Sequence, residues 1–500
     1  MNPLDPNAAM NWLAVYPEIL LLTMTCVIAL VDLFDKSPRR TVSYVLSLLT
    51  LGAVALLHLL YLQGGFTLYA MQGMVVADPM GHLLALFAAL AVAVTLVYAR
   101  PYAESRDLLK GELFTLALFA LLGISVMISA NNFLVVYLGL ELMSLSLYAM
   151  VALRRDHAQS TEAAMKYFVL GALASGFLLY GLSMMYGATG SLEIAEVYKA
   201  IGGGQLNKSV LVFGIVFVVA GLAFKLGLVP FHMWVPDVYH GAPTAVTLMI
   251  AGAPKLAAFA VTIRLLVEGM LGLAVDWQQM LIVISVASMT LGNLAAIAQT
   301  NLKRMLAYSA IAQLGFMLLG LTPTVVFGNT YSAANGYSSS MFYLLTYVIT
   351  TLATFGVIMV LSRQGFEADE ITDLRGLNQR SRWMSAVMAI CMFSLAGIPP
   401  TVGFYAKLAV LQSIVSTNSP FYIGLAVVAV LLSLVGAFYY LRVVKTMYFD
   451  APAGDEPLIE TPTGVRVLLS FNGAAVLVLG LMPGALMAAC ADAIRIALST

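Results

Sequence analysis

The stretch Ser209-Val-Leu-Val-Phe-Gly-Ile-Val-Phe-Val-Val-Ala-Gly-Leu-Ala-Phe-Lys225 is apolar enough to lie in lipid, yet it ends in an ammonium group, and Pro230 and Pro236 follow shortly after. A charge at membrane depth costs about 2.5–3.5 kcal/mol on insertion scales, so it needs a partner, a wet cavity or a functional role. Proline removes a backbone donor and breaks the helix that contains it. The stretch therefore predicts a broken membrane helix with a buried lysine, as in proteins that move ions or protons.

The composition indicates that most of the chain lies in a membrane. Of its 500 residues, 61% are hydrophobic and only 10% are charged, with a formal net charge of zero, whereas soluble domains have about 25% charged residues. The zero net charge argues against nucleic-acid binding. Cys26, Cys391 and Cys490 are too far apart for a metal-ligand or iron–sulfur spacing. The N-terminus lacks the basic start of a cleavable signal, so we expect the first apolar run to be a true span.

Apolar runs of about 20 residues, each long enough to cross a bilayer, recur along the chain. Because backbone in lipid must satisfy its own hydrogen bonds, these runs predict helices. The fold class predicted is an all-α polytopic membrane protein of about fourteen transmembrane helices, placed near residues 12–34, 42–62, 79–99, 112–129, 132–152, 162–186, 210–235, 243–267, 278–298, 303–321, 340–362, 383–415, 421–448 and 465–488.

Basic residues indicate the orientation of these spans. They concentrate in alternate connections, such as the one with Arg154 and Arg155, while the opposite connections hold only Lys199 and Lys208. Because connections rich in lysine and arginine stay in the cytoplasm, this pattern predicts that both termini face outward.

A second broken span reads Leu395-Ala-Gly-Ile-Pro399-Pro400-Thr-Val-Gly-Phe-Tyr-Ala-Lys407. Paired spans interrupted by glycine and proline are typical of duplicated transporter halves with sites at the breaks. When Pro230 is matched with Pro400, Lys225 matches Leu395 rather than Lys407.

Each broken span is the fourth in a series of five, and the two series start from opposite sides of the membrane. The sequence therefore predicts two inverted five-helix repeats, each with one broken helix. The predicted organisation is an N-terminal three-helix segment (1–110), a first repeat (111–270), a second repeat (271–450) and a C-terminal helix (451–500).

Ionisable residues inside the spans are the candidates for chemistry. Glu141 lies about ten residues into its span, where its short side chain cannot reach water. If Glu141 meets Lys225 or Lys166, each partner stabilises the charged form of the other, and a pair that opens and closes moves protons. Lys255 and Lys407 are similarly deep and can form a relay with Lys225. Lys166 also has an ordinary helix-surface partner in Glu162, four residues earlier.

Histidines are secondary candidates for the proton path. His232 follows the Pro230 break and His240 lies in the next connection, so either can bridge lysines or admit protons, or simply bind a carbonyl freed by the break. His58 and His82 stand alone in apolar stretches and predict no haem. The sequence has no phosphate-binding loop, dinucleotide fingerprint or metal cluster, so energy must come from an ion gradient or a partner.

Three stretches together resemble the antiporter-like proton-channel subunits of respiratory complex I, and the resemblance covers nearly the whole chain. They are Lys225-Leu-Gly-Leu-Val-Pro-Phe-His-Met-Trp-Val-Pro-Asp-Val-Tyr-His-Gly-Ala-Pro243-Thr, Gln299-Thr-Asn-Leu-Lys-Arg-Met-Leu-Ala-Tyr-Ser-Ala-Ile-Ala-Gln-Leu-Gly315 and Ala396-Gly-Ile-Pro-Pro-Thr-Val-Gly-Phe-Tyr-Ala-Lys407. The family has fourteen helices with two inverted repeats, as predicted above. Within it, the chain is most similar to the subunit type that has lysine at position 407 and ends soon after the fourteenth span.

The resemblance implies redox-driven proton pumping by residues that match the family's: Glu141, Lys166, Lys225, Lys255 and Lys407. It implies a hetero-oligomer in the bacterial inner membrane, with other membrane-arm subunits of complex I as partners. Quinone, NADH, FMN and iron–sulfur clusters are expected in those partners, and no cofactor or metal is expected in this chain. Three alternatives remain at this level: a subunit of a multi-subunit sodium/proton antiporter, an autonomous secondary carrier, and the membrane arm of a hydrogenase.

Overall fold

Helices of membrane-spanning length make up most of the chain. The computed structural model describes residues 10–204, 206–326, 331–452, 454, 459 and 461–499, with side chains from residue 335 onward in the helix that begins at Tyr331. Within this part of the chain, twelve helices are long and apolar enough to cross a membrane. The prediction of an all-α polytopic membrane protein is confirmed.

The elements up to the middle of the chain are α1 (Tyr16–Phe34), α2 (Thr41–Gly64), β1 (Leu68–Ala70), β2 (Val75–Ala77), α3 (Pro79–Glu104), α4 (Gly111–Ser129), α5 (Phe133–Val151), α6 (Ala158–Thr189), α7 (Ile194–Gly202), α8 (Lys208–Leu226), α9 (Trp234–Gly241), α10 (Thr244–Ala251) and α11 (Ala253–Thr262). A 3-10 turn, Trp12–Val15, precedes α1, and a π-helical segment, Ile263–Gly269, continues α11.

The remaining elements are α12 (Ala274–Ile297), α13 (Leu302–Leu319), α14 (Tyr331–Leu361), α15 (Leu377–Arg380), α16 (Arg382–Ala396), α17 (Val402–Val415), α18 (Pro420–Tyr448), α19 (Thr463–Leu481) and α20 (Gly484–Ser499). Two 3-10 turns, Leu271–Leu273 and Ile371–Leu374, precede α12 and α15.

All fourteen predicted spans coincide with helices. Twelve are the membrane-length helices, and the other two are α13 and the broken pair α16–α17. Pro230 lies in the gap between α8 and α9, and Pro399 and Pro400 lie in the gap between α16 and α17. The two helix breaks therefore lie at the positions that the proline and glycine residues predicted.

The structure differs from the sequence prediction near the termini and in the connections. The span predicted over 465–488 ends at Leu481, because Pro483 lacks a backbone donor and a separate helix, α20, follows it. Helix α7 and the antiparallel hairpin β1–β2, with Leu68 opposite Ala77, were not predicted. Both are too short to show a reliable hydrophobic period.

The centre of the bundle is the span Thr244–Gly269, whose most apolar window is 100% buried within the protein. The span of α14 is nearly as enclosed, whereas α18 is mostly exposed and carries large apolar side chains suited to lipid. A helix that is apolar on all sides is buried in protein or lipid. The central span Thr244–Gly269 places Lys255 at the core of the protein, with 1% of the lysine surface exposed.

Candidate site on the broken helices

Helix α8 ends at the first break in a Schellman turn. Gly227 adopts φ +83°, its N–H donates to the carbonyl of Phe224 at 3.0 Å, and the Leu228 N–H donates to the carbonyl of Ala223 at 2.8 Å. A Cβ atom at residue 227 would lie 2.8 Å from the Val235 side chain. The break therefore requires glycine for both its backbone angle and its space.

Lys255 caps the last two carbonyls of α8. Its Nζ donates to the carbonyl oxygens of Lys225 at 3.0 Å and Leu226 at 3.1 Å. The ring of Trp234 lies beside it, with its centroid 5.1 Å from Nζ. Since the final four carbonyls of a helix lack intrahelical donors, the break creates acceptors in the core, and a lysine from α11 occupies two of them.

The second break repeats this geometry. Gly397 adopts φ +84°, its N–H donates to the carbonyl of Ser394 at 3.0 Å, and the Ile398 N–H donates to the carbonyl of Phe393 at 3.0 Å. A Cβ at residue 397 would lie 2.9 Å from Cδ of Lys407. Helix α16 thus also ends in a Schellman turn that only glycine fits.

Lys407 caps the last two carbonyls of α16. Its Nζ donates to Leu395 at 3.1 Å, to Ala396 at 3.0 Å and to the Ser433 hydroxyl at 2.7 Å. With the Pro230–Pro400 match, these carbonyls are the counterparts of those that Lys255 caps. The two lysines bind equivalent acceptors from different helices, which explains why they do not align in sequence.

Lys225 and Glu141 do not form a contact ion pair. Lys225 Nζ instead donates to the Ser144 hydroxyl at 2.8 Å, and no ion pair within 4 Å joins Lys225 to Glu141, both of which lie in described segments. Ser144 is three residues after Glu141 and lies on the same face of α5. The ammonium is therefore near the carboxylate, with a hydroxyl as its direct partner.

Lys166 binds a carboxylate that the sequence did not single out. Its Nζ lies 2.8 Å from Asp237 Oδ2 and 2.7 Å from Glu162 Oε1. Asp237 also accepts from Arg304 Nη1 at 2.7 Å, so it links α6 to α13. The only sequence signal for Asp237 was its place just after the break, because its partners are 71 and 67 residues away.

The two histidines near the first break contact none of the buried lysines. His240 lies 3.2 Å from the Gln159 amide, and His232 Nδ1 is buried without a hydrogen-bond partner among the described residues. The predicted bridging of lysines by His232 or His240 has no direct contact to support it in this structure. An uptake role at the end of the bundle stays a prediction.

The expectation that His58 and His82 stand alone is wrong. Their Nδ1 atoms lie 3.2 Å apart, both rings are buried, and Tyr61 packs edge-on against His82. The two histidines lie on neighbouring helices, α2 and α3. Helix packing, which the apolar sequence around each residue does not encode, brings them together.

A polar cluster beside the second break was also missed. Gln313 Nε2 donates to the Leu395 carbonyl and to the Tyr440 hydroxyl, both at 2.8 Å. Tyr343 donates to the Gln313 side-chain oxygen, and Ser309 shares a hydrogen bond with Tyr440 at 2.5 Å. Gln313 therefore shares the Leu395 carbonyl with Lys407, so the cluster continues the polar path from the break into the core.

A charged cluster connects the ends of α3 and α14 on the face that carries the arginine-rich connections. Glu367 accepts from Arg106 Nε at 2.8 Å and from the Tyr102 hydroxyl at 3.0 Å. The Thr244 N–H donates to the same tyrosine hydroxyl at 3.0 Å. This cluster ties the first helix of the central span to the connection after α14.

Within the described residues, no three His, Cys, Asp or Glu side chains come together as a metal site. The expectation that redox groups belong to partner subunits stays a prediction.

A polytopic bundle whose two broken helices each hold a lysine ammonium on their last carbonyls defines the class of antiporter-like membrane proteins. The family described as "NADH:quinone oxidoreductase/Mrp antiporter, TM" matches residues 130–433. A protein named NADH-quinone oxidoreductase subunit N from Polaromonas naphthalenivorans (strain CJ2) is 64% identical over 488 residues, covering 97% of this chain and 98% of the relative. The chain belongs to this family, in the group named NADH-quinone oxidoreductase subunit N.

Solved structures agree with this assignment. A chain of respiratory complex I from Thermus thermophilus is 31% identical, with a TM-score of 0.80 over 95% of this chain and 100% of that chain. A chain of the Mrp complex from Dietzia sp. DQ12-45-1b has a TM-score of 0.82 over 97% of this chain and 96% of that chain at 21% identity, which shows the fold alone. The resemblance to the antiporter-like subunits of complex I that was predicted from the sequence is confirmed.

Proposed function

We propose that this chain is the proton-translocating membrane-arm subunit N of an NADH:quinone oxidoreductase, which couples quinone reduction in a partner subunit to proton pumping. The observation that carries the proposal is the pair of caps: Lys255 and Lys407 each hold two carbonyls at the end of a broken helix. The subunit-N relatives cover nearly the whole chain, and their name supplies the partners and the reaction. The chain is a multi-pass subunit of a hetero-oligomer.

The capped breaks can hold and release protons because their acceptors are fixed. A carbonyl accepts from an ammonium and equally from an amine N–H, so Lys255 keeps its position when it gains or loses a proton. Lys255 is buried and Lys407 is half-buried, so electrostatic interactions at both caps are stronger than in water. A change in nearby charge then changes the protonation of the lysine without the need for a large movement.

Glu141 and Lys225 supply that change of charge in the proposal. The ammonium of Lys225 is bound to Ser144, three residues from Glu141, so a rotamer change is enough to form or break an ion pair. Lys225 is also the residue whose carbonyl Lys255 binds. A change of charge at the Lys225 side chain therefore acts on Lys255 at short range, where electrostatic interactions are stronger than in water.

The proposed row also includes the second break. The Gln313 cluster provides side-chain amide and hydroxyl groups next to the Leu395 carbonyl, and Lys407 binds the same carbonyl. Hydroxyl groups both donate and accept, so they support proton transfer along a hydrogen-bonded chain. Lys166, with Asp237 and Arg304, is proposed to adjust proton uptake at the arginine-rich face.

The decisive experiment is proton pumping by membrane vesicles that contain the whole complex, with Glu141→Gln compared with Glu141→Asp. We expect Glu141→Gln to reduce NADH-driven pumping strongly while the complex still assembles, because the charge is lost and the shape is kept. Glu141→Asp should be milder. Full pumping in assembled Glu141→Gln complexes would remove the pair from the mechanism.

Two other functions share parts of this architecture. A subunit of a sodium/proton antiporter predicts co-purification with antiporter subunits and sodium-dependent proton movement, and an autonomous carrier predicts transport by the isolated chain. The subunit-N proposal predicts co-purification with quinone-site and iron–sulfur subunits, and no stoichiometric flavin, haem or iron in the isolated chain. Absorption spectra and the identity of co-purified subunits separate the three.

The proposal includes location in a bacterial inner membrane with both termini on the periplasmic side. The support is the concentration of basic residues in alternate connections. Single cysteines introduced at Lys199 and at Arg155, labelled with an impermeant reagent in intact cells, test it. We expect labelling at Lys199→Cys only after the outer membrane is permeabilised, and at Arg155→Cys only after the inner membrane is opened.

A further inference from the structure

A buried charge cluster lies far from the lysine row, at the opposite end of the central span from the arginine-rich connections. Arg264 is 1% exposed, and its guanidinium binds Asp78 Oδ1 and Glu268 Oε1, both at 2.8 Å. Arg264 and Glu268 belong to the π-helical segment Ile263–Gly269. Such segments are rare and occur frequently at functional sites. In the predicted orientation, this end of the span faces outward.

The cluster has one more carboxylate than it has cations. Arg264 contributes one positive charge, and Asp78 and Glu268 contribute two negative charges when both are ionised. Asp78 Oδ1 also accepts from the Gly81 N–H at 2.8 Å and so caps α3. Among the described residues, Asp78 Oδ2 and Arg264 Nε are buried without a hydrogen-bond partner. A buried group with an uncompensated charge is stabilised when it takes up a proton.

Neighbouring elements do not supply a buried cation for this charge. Lys199 on α7 is exposed and is already paired with Glu196 at 2.8 Å. His82, four residues after Asp78, is bound to His58. The titratable groups on the elements around the cluster are Tyr69, His82, Glu193, Glu196, Tyr198, Lys199, Asp276 and Tyr337.

A cavity of about 590 Å³ connects with the cluster. Arg264 and Glu268 are part of its lining, together with polar groups of Tyr69, Asn131, Tyr198 and Lys199. A site of this size with several polar partners can hold water. Glu268 has 18% of its side chain exposed, whereas Arg264 and Asp78 have 2% and 1%. Glu268 is thus the member of the cluster that can exchange protons with cavity water.

Glu268 lies on the same span as Lys255, thirteen residues further on, which is roughly 20 Å along a helix. A cavity of about 10 Å³ lined by Leu226, Thr262 and Leu266 lies between them. Its lining is almost entirely apolar, and small apolar cavities stay dry. In this conformation the outer cluster is therefore separated from the lysine row, as a pump requires, and wetting of the gap would connect them.

We propose that Glu268, held by Arg264 and set beside Asp78, is the outer proton-release group of this subunit. When water enters the gap, Lys255 gives its ammonium proton through that water to the Glu268 carboxylate, Lys255 becomes a neutral amine, and the carboxylic acid then gives the proton to cavity water. The inference rests on the proposed function, because it needs the lysine row as its proton source. Arg264 and Asp78 are positioning residues in this scheme.

The test uses inverted membrane vesicles with the whole complex, in which the lumen corresponds to the outer face. Protons pumped per NADH oxidised are compared for wild type, Glu268→Gln, Lys255→Ala and the control Glu196→Gln, which removes an exposed carboxylate on the same face. We expect Glu268→Gln to lose as much pumping as Lys255→Ala, with normal assembly, and Glu196→Gln to match wild type. A Glu268→Gln complex that pumps like wild type while Lys255→Ala does not would overturn this inference alone. Wild-type pumping in Lys255→Ala would instead contradict the proposed function.

A second readout separates proton release from a structural role. Lumen pH is set with trapped buffer, and the pumping rate is measured at constant external pH. We expect the wild-type rate to fall as the lumen becomes acidic, because release from Glu268 slows, and this response to shift in midpoint in Glu268→Asp. The Asp variant also covers the case in which Glu268→Gln fails to assemble. An unchanged lumen-pH response in Glu268→Asp would reduce the cluster to a brace between α3 and the central span.

Discussion

Nζ of Lys407 lies 3.0 Å from the carbonyl oxygen of Ala396, the residue that ends the first half of the second broken helix. Lys255 has the same relationship to Leu226 at the first break, at 3.1 Å. In both cases a side chain replaces the backbone donor that the break removed. The break and the lysine are therefore one structural unit, and a change in either affects both stability and proton transfer.

Lys407→Ala is expected to block translocation through this subunit. The Leu395 carbonyl keeps its bond from Gln313, but the Ala396 carbonyl loses its side-chain donor, at a cost of about 1–3 kcal/mol for a buried unsatisfied group. Lys407→Arg keeps a charge but cannot release a proton at accessible pH. Pumping per assembled complex should be nearly as low in the Lys407→Arg variant as in the Lys407→Ala variant. An active Arg variant would assign Lys407 a purely structural charge.

Gly397→Ala is expected to destabilise the second break by about 1–2 kcal/mol from the left-handed backbone alone. It should also displace Lys407, since the new Cβ would lie 2.9 Å from Cδ of that lysine. Both the thermal stability of the complex and its pumping should fall. Gly424→Ala in α18 is the matched control, because nothing lies within 4 Å of a Cβ there. It should lower neither, since alanine is more favourable than glycine inside a helix.

Asp237→Asn is expected to reduce pumping by loosening the contact between α6 and α13. It weakens two ion pairs, with Lys166 and Arg304, that are partly exposed, so the loss of stability should be small, about 0–1 kcal/mol for each pair. Glu162→Gln, which removes only the other partner of Lys166, is the control and should have a weaker effect on pumping. Equal effects of the two variants would show that Asp237 has no role beyond an ordinary surface pair.

Glu367 provides a pH-dependent prediction. Burial raises the pKa of Glu367, but the hydrogen bond and the charge of Arg106 lower it by a larger amount. The net pKa therefore lies below the ordinary 4.5. A carboxylate with a lower pKa in the folded state stabilises the protein fully above its unfolded pKa, and this contribution disappears as the pH falls through the folded pKa. Glu367→Gln should therefore reduce the free energy of unfolding at pH 7 by about 1–3 kcal/mol, which is measured as a lower thermal midpoint. The difference in stability between the variant and the wild type should disappear in acid. A difference that stays constant as the pH falls would contradict this account.

Much of the fold followed from local properties of the sequence. The fourteen apolar segments, the two breaks and the depth of Lys225, Lys255 and Lys407 depend only on hydropathy, glycine and proline along short stretches. Helix hydrogen bonds are local, and lipid requires that they be satisfied within each segment. These features could be predicted without knowing how the helices pack. The division into repeats at 111–270 and 271–450 stays a prediction, to which the shared break geometry gives local support.

The partners of the charged groups depend on tertiary structure. The sequence favoured Glu141 as the partner of Lys225, but helix packing places Ser144 there, and it also joins Asp237 to Lys166 and Arg304. The central span is apolar on every side, so it has no hydrophobic face from which to predict its rotation or neighbours. Hydropathy therefore determined which residues lie in the membrane and how deep, whereas the packing of helices distant in sequence decided which polar groups meet.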